Sequence, residues 1–146
     1  CSCGKPGHLE AYASETAMIE RMRARLSTAS PEATANWLAS PGITLPRILA
    51  AYSSDHDATA IIDETIQVVG LALANLVTAL NSDTVVLGGY VLDIGPQFVS
   101  AVRAKIRQFA FESAARRVNV APSDLGTDAA VSGAISLAFD TISGAA

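Results

Sequence analysis

DTVVLGG, residues 83–89, is where the pattern of the chain changes. Before it lies a long apolar segment with helical spacing. Here a short β-branched run is closed by two glycines, which predicts a buried strand. Gly95-Pro96 then opens a helix with Phe98, Val102, Ile106 and Phe109 on one side. VNVA, residues 118–121, alternates as a second strand. Strand, helix, strand is a crossover unit, so the two strands should run parallel with a right-handed connection. Two buried parallel strands need neighbours and covering layers. The expectation is that further strands of this sheet lie outside this chain.

Upstream, Leu9, Tyr12, Ile19, Met22 and Leu26 recur at helical spacing and predict one helix from about 9 to 27. SPEATANWLAS reads as a short helix capped by Ser30, with Pro31 at its first position and Pro41-Gly42 beyond its end. TLPRILAAY is another, with Pro46 in its first turn. Ser54 and Asp57 resemble a capping box that starts a long helix ending near Leu80. Between Ile66 and Leu80 that helix is apolar nearly all round, so it should be buried on every side. Thr127 or Asp128 caps a last helix carrying Val131, Ile135, Ala138 and Ile142. Trp37 and the phenylalanines sit at helical spacing and read as core.

The 146 residues have the length of one domain. Half are apolar and 16% are charged, so much of the surface should be covered by core or by a partner. A net charge of −4 offers nothing to attract nucleic acid. Arg21, Arg23 and Arg25 splay around their helix and read as a solvated face beside Glu20 rather than a phosphate patch. The most apolar run, QVVGLALANLVTAL, is too short to span a bilayer, so no membrane partner is expected. A disulfide across one intervening residue is strained, and thiolate ligands in a reducing cytoplasm suit the CxC pair better.

The chain opens CSCGKPGHLE. Cys1, Cys3 and His8 are metal-ligand types, and their softness suits zinc. A structural zinc site usually takes four protein ligands, and this stretch supplies three. The alternative is a pair of free cysteines on a frayed terminus. Glu10, at the start of a helix, is stabilised by the helix dipole. It could equally accept hydrogen bonds from a vicinal diol of a sugar, since a carboxylate has about four lone-pair sites. Gly88 and Gly89 end a parallel strand, where α/β sheets bind ligands. They allow either a close ligand or simply a tight strand exit. His56 reads as a solvated helix-start residue.

CSCGKPGHLEAYAS resembles the CxCGxxGCxE-x-x-AS signature of the ROK family, sugar kinases and sugar-responsive transcriptional repressors. VVLGG and the closing LGTDAAVSGAISLA agree with that family in order. The resemblance implies an α/β, helix-rich C-terminal part of an actin-like ATPase (sugar kinase/Hsp70) fold with a short parallel sheet. Residues 1–146 would be the C-terminal portion of a ROK-type sugar-binding domain, with the N-terminal lobe and any DNA-binding domain lying upstream. Cys1 and Cys3 match two zinc cysteines, and His8 stands where the family usually has a third. Glu10 matches the family's sugar-binding glutamate. Gly88 and Gly89 match the adenosine-side glycines of the kinases, which usually continue with a third glycine; here Tyr90 follows. That departure favours a regulator over a kinase. The expected function is the C-terminal part of a cytoplasmic, homo-oligomeric regulator that binds a small sugar, holds a structural zinc and reaches DNA only through an upstream domain. The alternative is the same part of a sugar kinase, in which ATP and Mg would be required. No activity is expected from this chain alone.

Overall fold

A computed structural model describes residues 1 and 3–144. The first turn leads into α1 (Glu10–Ala13) and α2 (Glu15–Leu26). One continuous helix was expected here. Instead Ser14 takes an extended conformation and its side chain accepts a hydrogen bond from the Ala17 amide, capping α2. Local capping by a serine outweighs an apolar period that runs through it. α3 (Pro31–Leu38) is capped by Ser30 and begins at Pro31, as its sequence predicts. α4 (Leu45–Ala50) carries Pro46 in its first turn.

α5 (His56–Leu80) is the central helix. Its cap is Asp55, which accepts from the Ala58 amide at 2.9 Å, while Ser54 bonds back to the Ala51 carbonyl. Ala58, Ile61, Ile62, Thr65, Ile66, Gly70, Ala74 and Val77 are buried along one side. Contrary to the all-round burial expected, Leu71, Leu76 and Leu80 face outward, Leu80 with 70% of its surface exposed. By length and composition α5 is apolar enough to cross a membrane. Here α2 and α6 pack on it, and its Asp57 and Glu64 pair with arginines of α2.

β1 (Thr84–Leu87) and β2 (Asn119–Pro122) pair in parallel, Thr84 with Asn119 through Leu87 with Pro122. Among the described residues they form the whole sheet. Only Leu87 of β1 is buried, so this strand is less covered than its sequence predicts. Between the strands come a 3-10 helix at Tyr90–Ile94, α6 (Pro96–Phe109) and α7 (Glu112–Arg117). The 3-10 helix and α7 were not anticipated. α6 buries Phe98, Val99, Val102 and Ile106 against α5. At the crossing, a Cβ on Gly70 would lie 2.3 Å from Lys105 Cβ, so glycine is what lets the two helices approach.

The last described element is α8 (Ala129–Ser143), preceded by a 3-10 turn at Gly126–Asp128. Asp128 occupies the cap position without a side-chain cap bond. None of the described α8 residues is buried; Val131, Ile135, Leu137, Phe139 and Ile142 all face outward. Trp37 and Phe98 are core as expected, but Phe111 and Phe139 are exposed and Phe109 is partly so. The core instead gathers Met18, Met22, Trp37, Ile48, Ile61 and Ile62 at one end of α5 and Phe98, Val102 and Ile106 further along.

Candidate functional site

Two tight turns with positive φ at Gly4 and Gly7 fold the first residues back on themselves. Cys1 Sγ lies 3.0 Å from Cys3 Sγ, and His8 Nδ1 lies 3.1 Å from one sulfur and 3.2 Å from the other. Both cysteines are free thiols. Two sulfurs and an imidazole nitrogen therefore converge on one small region, the donor set that suits zinc. Cys3 and His8 are exposed and Cys1 is partly covered. Among the described residues the group comprises these three.

α1 starts two residues after His8 and carries Glu10 in its first turn. Glu10 lines a cleft of about 370 Å³ together with Cys1, Ser14, Thr16, Ala17 and Glu20. The cysteine turn and Glu10 thus border one hollow, with a second carboxylate and two hydroxyls nearby. Such a mixture of acceptors and hydroxyls is chemically suited to a polyol.

The far end of α1 is held from two sides. Arg21 of α2 donates through Nη2 to the Tyr12 carbonyl at 2.7 Å and to Thr65 Oγ1 of α5 at 2.8 Å. Thr65 is the one buried polar residue among those described, and its hydroxyl in turn donates to the Ile61 carbonyl. Arg21 also pairs with Glu64 at 3.2 Å, and Arg25 bonds both Glu64 and Asp57. These two arginines were expected to form a solvated face; they are cross-helix ties between α2 and α5. Sequence spacing misses such ties because the partners lie about forty residues away.

The second hold comes from the strand turn. Gly88 and Gly89 follow β1, and Gly89 has φ +79, a conformation that favours glycine. Gly88 has ordinary room beside Ser123 Cβ at 3.7 Å. Tyr90 comes next, half-buried, and its hydroxyl donates to the Ala13 carbonyl at the end of α1. Burial, reinforced by the Glu15 carboxylate and opposed by Arg21, raises the Tyr90 hydroxyl above its usual pKa of 10.0. It is therefore a protonated donor at neutral pH. The sequence marked Tyr90 as a departure from the expected third glycine; it did not reveal the contact with α1. Gly88 and Gly89 and the cysteine turn are thus linked through Tyr90 and α1. His56, with its side chain 92% exposed, is a solvated helix-start residue as expected.

Comparison with known proteins agrees with this architecture. A glucokinase of Halalkalibacterium halodurans is 29% identical over 91% of this chain and 41% of its own length. A xylose repressor of Caldicellulosiruptor bescii is 29% identical over 94% of this chain and 35% of its own. The chain therefore spans less than half the length of these relatives. The solved structure of a ROK glucokinase from Streptomyces griseus, in complex with glucose and AMPPNP, superposes with a TM-score of 0.76 at 27% identity. It covers 94% of this chain and 46% of that one. A ROK transcriptional regulator homologous to the E. coli Mlc protein shares the fold at a TM-score of 0.68 and 24% identity, over 84% of this chain and 30% of that one. The fold is the helix-rich part, with a short parallel sheet, of the actin-like ATPase architecture of the ROK sugar kinases. The sequence model of the ROK family matches residues 1–141, and the chain belongs to that family.

Proposed function

We propose that residues 1–146 are the C-terminal portion of a ROK-family sugar-responsive transcriptional regulator, contributing one wall of the sugar site, a structural zinc turn and part of an oligomer surface. The observation that carries the regulator reading is Tyr90. It follows the glycine turn directly and reaches across to α1, whereas a nucleotide-binding turn gains from having no side chain. Xylose repressors among the relatives support the same choice. Glu10, on the cleft beside the cysteine turn, would accept hydrogen bonds from sugar hydroxyls. Cys1, Cys3 and His8 would hold zinc, with a fourth ligand from upstream, and the metal would fix the turn from which α1 departs.

The outward apolar faces of α5 and α8 support the reading of this chain as part of a larger fold. Several large apolar side chains exposed on one helix are a mark of an interface. The rest of the sugar-binding domain and a second copy of the protein would cover it between them. In such a regulator, sugar would favour one arrangement of the lobes and so change the spacing of DNA readers carried by an upstream domain in a cytoplasmic oligomer.

The alternative is a ROK sugar kinase, which the likeness to the glucose- and AMPPNP-bound glucokinase favours. Then Gly88 and Gly89 would border the adenosine and ATP with Mg would be required. Reading the coding sequence upstream of the Cys1 codon separates the two. A helix-turn-helix ahead of a degraded phosphate loop supports the regulator. An intact DxGxT loop near the start, with no DNA-binding helices before it, refutes it. Titration calorimetry of full-length protein tests the sugar site: Glu10→Ala should weaken binding by about 1.5–3 kcal/mol. Unchanged affinity removes Glu10 from that site.

A further inference from the structure

α1 has four residues, a single turn. One turn does not hold itself in water, because nucleating a helix fixes several residues for very few hydrogen bonds. Its last carbonyls also lack partners within the helix. In this structure Glu10 O is taken by the Ser14 amide, Tyr12 O by Arg21, and Ala13 O by Tyr90. Arg21 comes from the adjoining helix. Tyr90 comes from the strand turn, 77 residues away in the chain.

We propose that Tyr90 is a positioning residue for the sugar site: its hydroxyl ties the end of α1 to the Gly88–Gly89 turn, so that Glu10 and the turn move as one body. The inference rests on the reading of Glu10 as a sugar ligand. Ala13 lies three residues, less than one helical turn, beyond Glu10, so a shift at the tether is transmitted with little loss. Two features make the tie specific. The neutral hydroxyl is the form that can donate, and burial beside Glu15 favours it. Gly89, with φ +79, sets the chain direction from which the Tyr90 side chain reaches α1. Movement of the turn, whether driven by lobe closure or by a ligand beyond β1, is thereby felt at the Glu10 carboxylate.

The test is a double-mutant cycle on the full-length protein, with D-glucose and D-xylose as probes in titration calorimetry. Tyr90→Phe removes one oxygen and keeps the ring. It should weaken the sugar that binds by about five- to tenfold, the loss of roughly one hydrogen bond. In a Glu10→Ala background the same change should cost less than about twofold, because the tie acts through Glu10. A residue that merely stabilised the fold would lower the melting temperature and weaken binding equally in both backgrounds. Equal losses in both backgrounds, or no loss in either, overturn the proposal while Glu10→Ala still weakens binding. A silent Glu10→Ala is a different failure: it removes Glu10 from the site, and the proposal falls with that reading.

Discussion

Gly70→Ala tests the packing on which the fold depends. Gly70 lies buried where α5 crosses α6. A methyl group there would sit 2.3 Å from Lys105 Cβ, 3.0 Å from Lys105 Cγ and 3.6 Å from Lys105 Cα. Carbon atoms in ordinary contact sit about 3.5–4.0 Å apart. The shortfall is therefore roughly 1.2 Å or more. Lys105 Cβ is bonded to the backbone and cannot swing aside, so the helices must part. Overpacking of this kind costs about 1–3 kcal/mol, and the size of the clash puts the cost at the upper end. Alanine is better than glycine inside a helix by about 0.8–1.0 kcal/mol, which offsets part of it. The net expectation is a loss of about 2 kcal/mol, or roughly 4–8 °C in melting temperature for a chain of this size. Urea denaturation followed by circular dichroism on the 146-residue chain gives the number. Gly133→Ala in α8 is the matched control, since a Cβ there meets nothing within 4 Å. It should gain up to about 1 kcal/mol. If Gly70→Ala is as stable as the parent chain, or more so, helix propensity has won and the close crossing at Gly70 is wrong.

Three other expectations follow from the same structure. Arg47 donates to the carbonyls of Asn36, Trp37, Ala39 and Gly42 and lies 4.7 Å over the Trp37 ring, so Arg47→Leu should cost about 1–3 kcal/mol in denaturant unfolding; a change below about 0.5 kcal/mol refutes the capping role. Tyr52 is raised by burial and by its hydrogen bond to Asp63, and Tyr90 by burial and Glu15. Both folded values lie above the unfolded one, so the folded chain holds more protons above pH 10.0 and stability should fall as pH rises past it. Replacing both tyrosines by phenylalanine should flatten that alkaline slope in melting curves; an unchanged slope would assign it to other groups. Full-length protein should bind about one zinc per chain, measured by plasma emission spectrometry, and His8→Ala should weaken retention against a chelator. Equal retention with and without His8 would exclude it as a ligand.

How much of this was legible in the sequence differs from element to element. The strand–helix–strand unit was readable because DTVVLGG and VNVA break the helical period on either side of an amphipathic helix. Ser30-Pro31 marked the start of α3 for the same local reason that it caps it. The break at Ser14 was missed because the apolar period continues across it, while the capping bond belongs to one serine and one amide. Asp55 rather than Ser54 caps α5 because adjacent short polar residues compete and only backbone geometry chooses between them. Cys1, Cys3 and His8 could be grouped by spacing, and the turns at Gly4 and Gly7 do bring their donor atoms together. The ties of Arg21, Arg25 and Tyr90 were invisible, since each depends on a partner more than thirty residues away. The outward face of α8 was left open for a different reason: apolar spacing says that a helix wants cover, not whether the cover lies in the same chain.

The junction of α3 and α5 carries a built-in optical reporter. Trp37 is the chain's single tryptophan, and its indole nitrogen donates to Asp55, the residue that caps α5. Trp37 is buried, with 4% of its surface exposed, and its ring lies beneath the Arg47 guanidinium. Its fluorescence should be blue-shifted in the folded chain and should move red when α3 leaves the start of α5. No label is needed to follow that event. Emission recorded while zinc is stripped or sugar is added would show whether the change at the first turn stays local or loosens the anchoring of the central helix.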